Sequence, residues 1–315
     1  MSDALPGLLD DALRYAPEYR GGLSNHLPMA LAALDALGAS SQRLCSFASE
    51  HARRLEPRQP GRALDAAFDS AFERHLHAIE HRGIDAALRE VLPRLMPGVG
   101  AAAFHGLIRT AYGVQARHAS EIAAGLAYWD ARFLPLLPAL PAAPGDRGIA
   151  AWLGALAAAL PGWSSPHSLI FERMAAVAET PAFREHAARL AIDDQMPRAI
   201  AALALDRYLA SGNFTVLHVI TSCHALRTLG PWLERPAEAW RWYSVAVAAG
   251  VVSSGVDLAA RVQRPEPPPW PALIERAIAS SNDHAIKLAH SAHAEAQAWG
   301  EDERYRQAVA LVLGD

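Results

Sequence analysis

Apolar residues recur at intervals of three and four along almost the whole of this 315-residue chain. That spacing places them on one face of an α-helix, whereas the alternation that is typical of a strand is scarce. Helix-favouring alanine, leucine, arginine and glutamate dominate, and proline and glycine lie between the periodic segments. The pattern therefore predicts an all-α fold. The predicted helices cover residues 3–15, 27–38, 41–55, 63–81, 83–92, 99–123, 125–136, 147–160, 168–178, 182–192, 196–210, 214–229, 236–252, 271–280, 282–297 and 301–313.

Two proline-rich segments interrupt the helical pattern. Leu134–Asp146 contains four prolines, and Gln263–Pro271 contains the run Pro267–Pro269. Such segments act as linkers or long loops, but the composition is similar on both sides of each one. A chain of this length can also bury one large core. We therefore expect a single multi-helix domain over residues 1–315, without the period of 30–45 residues that is typical of a solenoid.

Composition and charge exclude several classes of protein. Hydrophobic residues make up 51% of the chain and charged residues 20%, which indicates a folded protein. The formal net charge of −4 gives no electrostatic reason to expect a nucleic acid or an anionic membrane as partner. Two cysteines, Cys45 and Cys223, are too few for a disulfide framework or a cysteine-rich zinc site. With neither a signal pattern nor an apolar run of about 18 residues, we expect a cytoplasmic protein.

Lys287 is the one lysine among 29 basic residues, and the other 28 are arginine. Arginine can replace lysine wherever only positive charge is needed, but it stays protonated. A buried lysine can lose its proton and then react as a nucleophile or combine with carbon dioxide. Composition alone leaves two interpretations open, a functional lysine and one exposed lysine that remains by chance.

Four of the 14 histidines stand in apolar surroundings: His26, His105, His218 and His284. Either Ser24 or Asn25 is expected to cap an apolar helix, which places His26 in its first turn. Among the others, His167 has the pattern of a helix cap and His224 and His290 are ambiguous. The remaining histidines lie in polar, amphipathic stretches, where a solvated face is expected: His51, His75, His77, His81, His118, His186 and His293.

A polar stripe follows His105 along its predicted helix. Arg109 and Tyr112 come four and seven residues later, so the three side chains share one face of an otherwise apolar helix. The apolar flanks favour an internal cavity over solvent as the surroundings of this stripe. His284 and Lys287 are likewise three residues apart and share a face of their helix.

The sequence Gly98-Val-Gly100-Ala-Ala-Ala103 fits a relaxed dinucleotide-binding fingerprint. That fingerprint requires a preceding strand within a βαβ unit. Here the preceding residues contain two prolines and follow a predicted helix. The segment therefore favours the start of a helix with small residues for close packing, and NADPH is retained only as an alternative cofactor.

Several buried histidines on separate helices indicate a metal site, because helical proteins build such sites from side chains that converge inside the bundle. Neutral imidazole suits iron, copper and zinc. An anionic ligand is also expected, yet Asp283, which precedes His284, points about 100° away around the helix. Lys287 would supply the anion if its buried amine were carboxylated, because a carbamate is in effect a carboxylate on a long arm.

Four sequence blocks together resemble the questin oxidase-like family. They are Asn25–Leu31, Phe104–Gly113, Phe214–Ser222 and Asn282–Lys287, in that order along nearly the whole chain. The resemblance implies a mononuclear non-heme iron centre held by four histidines and a carboxylated lysine. By motif, these ligands are His26, His105, His218, His284 and Lys287. His224 and His290 are alternative ligands; each follows an assigned histidine by six residues, about 120° around a helix.

The resemblance also implies an oxidoreductase that uses O2 to open a ring of an aromatic or quinone polyketide-type substrate. In such an enzyme Arg109 would stabilise negative charge on a substrate phenolate or on reduced oxygen, and Tyr112 would donate a hydrogen bond. The aromatic residues proposed to form a flat apolar pocket are Phe104, Phe214, Trp240 and Trp242.

Three other functions fit the same residues. The first is a flavin-free, NADPH-dependent monooxygenase of the Baeyer–Villiger type, in which the histidines act as acids, bases and structural groups. The second is a helical protein that binds metal or only buries its histidines, without oxygenase activity. The third is a zinc hydrolase with the same ligands.

Overall fold

The computed structural model describes residues 2–314, and the predicted all-α fold is confirmed. Within that range the α-helices are α1 (Leu5–Ala12), α2 (Leu27–Ala36), α3 (Ser41–Ala52), α4 (Ala63–Arg82), α5 (Ile84–Leu95), α6 (His105–Gln115), α7 (Ala119–Ala131), α8 (Ile149–Ala159), α9 (Ile170–Ala178), α10 (Pro181–His186), α11 (Met196–Ser211), α12 (Phe214–Leu229), α13 (Pro236–Ser253), α14 (Trp270–Ala279), α15 (Asp283–Trp299) and α16 (Glu303–Val312). Three short 3₁₀ turns cover Met96–Gly98, Ala187–Arg189 and Gly230–Trp232.

One small antiparallel hairpin was not predicted. Its strands, β1 (Glu18–Tyr19) and β2 (Leu23–Ser24), pair Glu18 with Ser24 and Tyr19 with Leu23. Strands of two residues are too short to give a sequence signal. The hairpin leads directly into α2 and forms one wall of the cavity described below.

The prediction of one helix over residues 99–123 was wrong at its start and in its interior. Residues Ala102, Ala103 and Phe104 have positive φ angles of 47°, 57° and 69°, so α6 begins only at His105. A further positive φ, 52° at Arg117, follows the end of α6. The Nδ1 atom of His118 then caps α7 by accepting a hydrogen bond from the backbone N–H of Glu121. Alanine favours helix strongly, so the tertiary structure overrides local propensity here.

Both proline-rich segments are loops within one domain, as predicted. Helix α12 follows the first segment and packs against α6, which precedes it. Helix α15 follows the second segment and packs against α2 near the start of the chain. The core therefore includes helices from both sides of each loop.

Glycines allow the backbones of α6 and α7 to pack in direct contact. A Cβ atom added at Gly125 would lie 2.4 Å from the backbone nitrogen of Thr110, and one added at Gly106 would lie 2.5 Å from the Cβ of Trp129. A Cβ at Gly113 would lie 2.7 Å from the backbone nitrogen of Ile122. This close packing of α6 against α7 at Gly106, Gly113 and Gly125, called the glycine seam below, places the start of α6, and with it His105, against the core.

Five helices begin around one cavity. Its walls include His26, just before α2, and the first or second residues of four other helices: His105 of α6, Ile170 of α9, Phe214 of α12 and His284 of α15. Each helix start carries a partial positive charge of roughly half an elementary charge. These helix starts therefore contribute positive potential to the cavity.

The glycine seam gives a stability prediction. We expect Gly125→Ala to lower the free energy of unfolding by about 1–3 kcal/mol, because its methyl group would overlap the backbone of Thr110. Gly154→Ala, inside α8 and with nothing within 4 Å of the added Cβ, should instead raise it by about 0.5–1 kcal/mol. Urea denaturation measures both. A stabilised Gly125→Ala variant would contradict the close packing of α6 and α7.

Candidate metal centre

Four imidazole rings meet at the inner end of this cavity. The ring centroids of His26 and His105 are 4.7 Å apart, and those of His105 and His218 are 4.9 Å apart. The ring centroid of His284 lies 5.3 Å from that of His218 and 4.5 Å from that of His26. The four histidines named from the sequence, which belong to four different helices or their caps, are therefore brought together.

Backbone carbonyls orient two of the four rings. The Nδ1 atom of His105 donates to the carbonyl of Ala102 at 2.5 Å, and that of His218 donates to the carbonyl of Phe214 at 2.7 Å. A carbonyl oxygen can only accept, so in each neutral ring the proton lies on Nδ1 and the lone pair on Nε2.

Asp283 orients the other two rings. Its Oδ1 atom accepts hydrogen bonds from Nδ1 of His26 at 2.8 Å and from Nδ1 of His284 at 2.6 Å. The expectation that Asp283 points away from the site was wrong: its carboxylate is buried and links α15 to the start of α2. The carboxyl pKa is lowered even though burial opposes ionisation, because the electrostatic attraction of His26 and the hydrogen bonds from both imidazoles favour the charged form.

Each Nε2 atom is consequently free of these acceptors. The Nε2 atoms of His26 and His105 are 2.8 Å apart. The Nε2 atoms of His218 and His284 are buried and have no hydrogen-bond partner within residues 2–314. Buried polar atoms without partners are rare, so these two nitrogens are available to a ligand or a metal ion. Imidazoles whose other nitrogen donates to a carboxylate or carbonyl are typical of metal sites, so this donor set fits a divalent metal ion.

The four imidazoles are in the neutral form that binds metals. Burial lowers each pKa, to about 3 for His26 and well below the ordinary value for His105 and His218, and the nearby charge of Lys287 lowers it further. The same two causes, in the same order, lower the pKa of His284. Protons therefore do not compete with a metal ion for Nε2 at neutral pH.

Lys287 is buried beside the four rings. Its side chain is 2% exposed, on α15 one turn after His284, and it makes no hydrogen bond or ion pair within the described part of the chain. Burial lowers the amine pKa to about 8, although the charge of Asp283 acts in the opposite direction. Of the two interpretations that composition left open, the exposed lysine is thus excluded.

A strained turn precedes His105. Three successive residues, Ala102–Phe104, occupy the left-handed region, which costs about 1–2 kcal/mol for each residue other than glycine. This turn aims the Ala102 carbonyl at Nδ1 of His105. Strain of this kind persists at functional sites when the surrounding structure imposes it.

His51 belongs to the site although the sequence interpretation placed it on a solvated face. The side chain is 1% exposed, its Nδ1 lies 3.8 Å from Oδ2 of Asp283, and neither ring nitrogen has a hydrogen-bond partner within residues 2–314. Leu44, Phe47 and His51 form the buried stripe of α3. That spacing of three and four residues was the signal that could have identified it.

Arg109 does not face the cavity. Its guanidinium forms a buried two-point ion pair with Glu121, with Nε–Oε1 and Nη2–Oε2 distances of 2.6 and 2.9 Å. The pair joins α6 to α7, and neither residue lines the cavity. The expectation of a cavity-facing arginine was therefore wrong, because a buried carboxylate on the next helix was not anticipated.

Tyr112 and the two alternative histidines lie outside the ring of four. The Tyr112 hydroxyl is 3.2 Å from Nδ1 of His290, and the ring centroids of His290 and His224 are 5.3 Å apart. His224 donates from Nδ1 to Glu295 at 2.9 Å, and its Nε2 lies 2.9 Å from the Gln115 amide. His224 and His290 therefore belong to a separate buried polar cluster.

The cavity above the imidazoles has a volume of about 360 Å³, within the range of small-molecule sites. Phe214 lines it, remains 52% exposed, and packs against the rings of His218 and His284. Phe104, Trp240 and Trp242, the other aromatic residues proposed for the pocket, are buried in the core instead.

The questin oxidase-like family model matches residues 23–292, which include the four histidines and Lys287. The chain belongs to the questin oxidase-like family. The resemblance stated from the four sequence blocks is therefore confirmed. No curated protein sequence matches the chain. Within residues 2–314, no helix combines the length and apolar character that crossing a bilayer requires.

The placement of Arg109 gives a second prediction. Arg109→Met leaves Glu121 buried without its cation, so we expect a loss of about 3–5 kcal/mol in the free energy of unfolding. Replacing both residues, in Arg109→Met/Glu121→Leu, should recover most of that loss. The control Arg189→Met, which breaks an exposed pair with Asp146, should leave the urea midpoint unchanged. An Arg109→Met variant that keeps wild-type stability and loses only turnover would contradict this structural role.

Proposed function

We propose that this chain is a non-heme iron-dependent oxygenase that cleaves a ring of an aromatic or quinone polyketide-type substrate with O2. Family membership supports an oxidoreductase with this type of substrate. The observation that carries the proposal is the meeting of four imidazole rings at one cavity, each with its Nδ1 proton held by a carbonyl or carboxylate. His26, His105, His218 and His284 would hold the iron.

Lys287 would complete this centre as a carbamate. Four neutral imidazoles leave the charge of a divalent ion uncompensated, and Asp283 already accepts two hydrogen bonds. In carboxylation, the neutral Lys287 nitrogen forms a bond to the carbon of CO2 and releases one proton. The buried, unpaired amine favours this reaction, and a metal ion would then trap the anionic product.

Bound iron would supply the redox chemistry that lets O2 react with an organic molecule. The chain itself supplies position and shielding. Asp283 and the Ala102 and Phe214 carbonyls keep the imidazole protons away from the centre. The exposed face of Phe214 gives a planar substrate a surface directly over His218 and His284.

The segment Gly98–Ala103 does not support the NADPH-dependent alternative. It continues from the 3₁₀ turn Met96–Gly98 into the left-handed turn, and helix α5 precedes it where a dinucleotide site needs a strand. The small residues serve close packing, as expected: a Cβ at Gly98 would lie 2.5 Å from the Phe133 ring, and one at Gly100 would lie 2.9 Å from Met174.

Metal reconstitution tests the proposed function. Wild-type protein prepared anaerobically with Fe²⁺ should bind one iron per chain and consume O2 when a hydroxyanthraquinone is added. His105→Ala should retain less than about a tenth of the iron, since one ligand is lost. The matched control His186→Ala, on α10 and outside the centre, should behave as wild type. Elemental analysis and an oxygen electrode measure both quantities.

Two outcomes would contradict that prediction. Equal iron content in His105→Ala and His186→Ala would contradict the proposed metal centre. Hydrolysis by zinc-loaded protein, without O2 uptake by iron-loaded protein, would identify a zinc hydrolase.

Lys287 variants test the carbamate separately. Lys287→Arg keeps the positive charge but cannot be carboxylated, so its iron content should be no higher than that of Lys287→Ala. Lys287→Glu restores an anion on a shorter arm and should recover part of the iron. In wild-type protein supplied with ¹³C-bicarbonate, a carbamate carbon signal should appear with the metal. An arginine variant with full iron and activity would show that Lys287 contributes only charge.

A further inference from the structure

Arg173 brings a positive charge to the cavity without a carboxylate partner. It lies on α9 and lines the cavity, and no ion pair forms between it and any acid of residues 2–314. Its sequence neighbour Glu172 lies instead 3.7 Å from Nδ1 of His167. Arg132, which packs over the Phe171 ring of the same wall, is already paired with Glu18. Arg173 therefore keeps its charge available to a ligand.

Neutral acceptors hold the Arg173 guanidinium in place. Nη1 donates to the carbonyls of His167 and Ser168 at 3.4 and 2.7 Å, and Nη2 donates to the hydroxyl of Thr215 at 3.2 Å. A guanidinium has five N–H groups, so these three bonds leave two N–H groups without a partner within the described chain. Such a fork, oriented but not neutralised, suits a carboxylate or another oxygen anion.

The surroundings of Arg173 suit the rest of a planar ligand. Leu23 of the hairpin and Phe214 at the start of α12 both line the cavity and are 45% and 52% exposed. Exposed apolar side chains at a cavity entrance are common at ligand sites. The start of α12, next to Thr215, adds the positive end of a 16-residue helix on the same side.

We propose that Arg173 forms an anion-binding subsite that selects ligands by charge. The ligand is planar and mainly apolar, stacks on Phe214, and presents one carboxylate, phenolate or enolate oxygen to the two free N–H groups. The subsite rests on the proposed function in one respect: the ligand would be the substrate of the proposed oxygenase. The subsite itself requires no metal.

Binding of two isosteric probes to metal-free protein tests the subsite. 2-Naphthoate carries the anion, and 2-naphthamide has nearly the same shape without charge. By isothermal titration calorimetry, wild-type protein should bind naphthoate at least about tenfold more tightly. Arg173→Gln should remove that preference by weakening naphthoate alone, and Arg173→Lys should keep part of it. Arg89→Gln, an exposed arginine of α5, is the matched control and should keep the full preference.

Phe214→Ala separates the apolar contact from the charge. It should weaken naphthoate and naphthamide by the same factor, because both would lose the ring on which they stack. A preference for naphthoate that survives in Arg173→Gln would overturn the proposal, since the anion would then be held elsewhere, for example by Lys287. Failure of both probes to bind wild-type protein would overturn it as well.

The same protein samples distinguish this proposal from the proposed oxygenase. A charge preference that depends on Arg173 supports the subsite even if no iron binds. Normal iron content and O2 uptake, combined with an unchanged preference in Arg173→Gln, would support the oxygenase and reject the subsite.

Discussion

The buried carboxylate of Asp283 makes the interaction on which the arrangement of the four imidazoles depends. It accepts the Nδ1 protons of His26 and His284, and it thereby ties the start of α15 to the start of α2. Without this acceptor, two buried imidazoles would lose the hydrogen bond that holds their Nδ1 protons. His51, which does not line the cavity, packs behind the same carboxylate.

The rest of the fold holds these imidazoles in place although two features of the site destabilise the folded state. Buried imidazoles without partners and three successive left-handed residues before His105 both destabilise the folded state. The close seam between α6 and α7 and the buried Arg109–Glu121 pair hold the start of α6 where the strained turn is needed. A metal ion that bonds to all four Nε2 atoms would offset the cost of the unpartnered nitrogens.

Much of this architecture was predictable because it depends on local pattern. Helical periodicity identified the helices, and apolar surroundings distinguished His26, His105, His218 and His284 from ten other histidines. The composition also marked Lys287. What sequence could not supply was the pairing of side chains distant in the chain. Arg109 pairs with Glu121, and Asp283 pairs with His26. The lack of a carboxylate partner for Arg173 among the described residues follows only from the positions of the surrounding acids in the folded structure.

Anomalous diffraction at the iron absorption edge, from crystals of the iron-reconstituted protein, tests the central claim most directly. The account predicts a single strong peak within bonding distance of the Nε2 atoms of His26, His105, His218 and His284, with density for a carboxyl group on Lys287. A peak only at the His224 and His290 cluster, or none within the ring of four imidazoles, would contradict it.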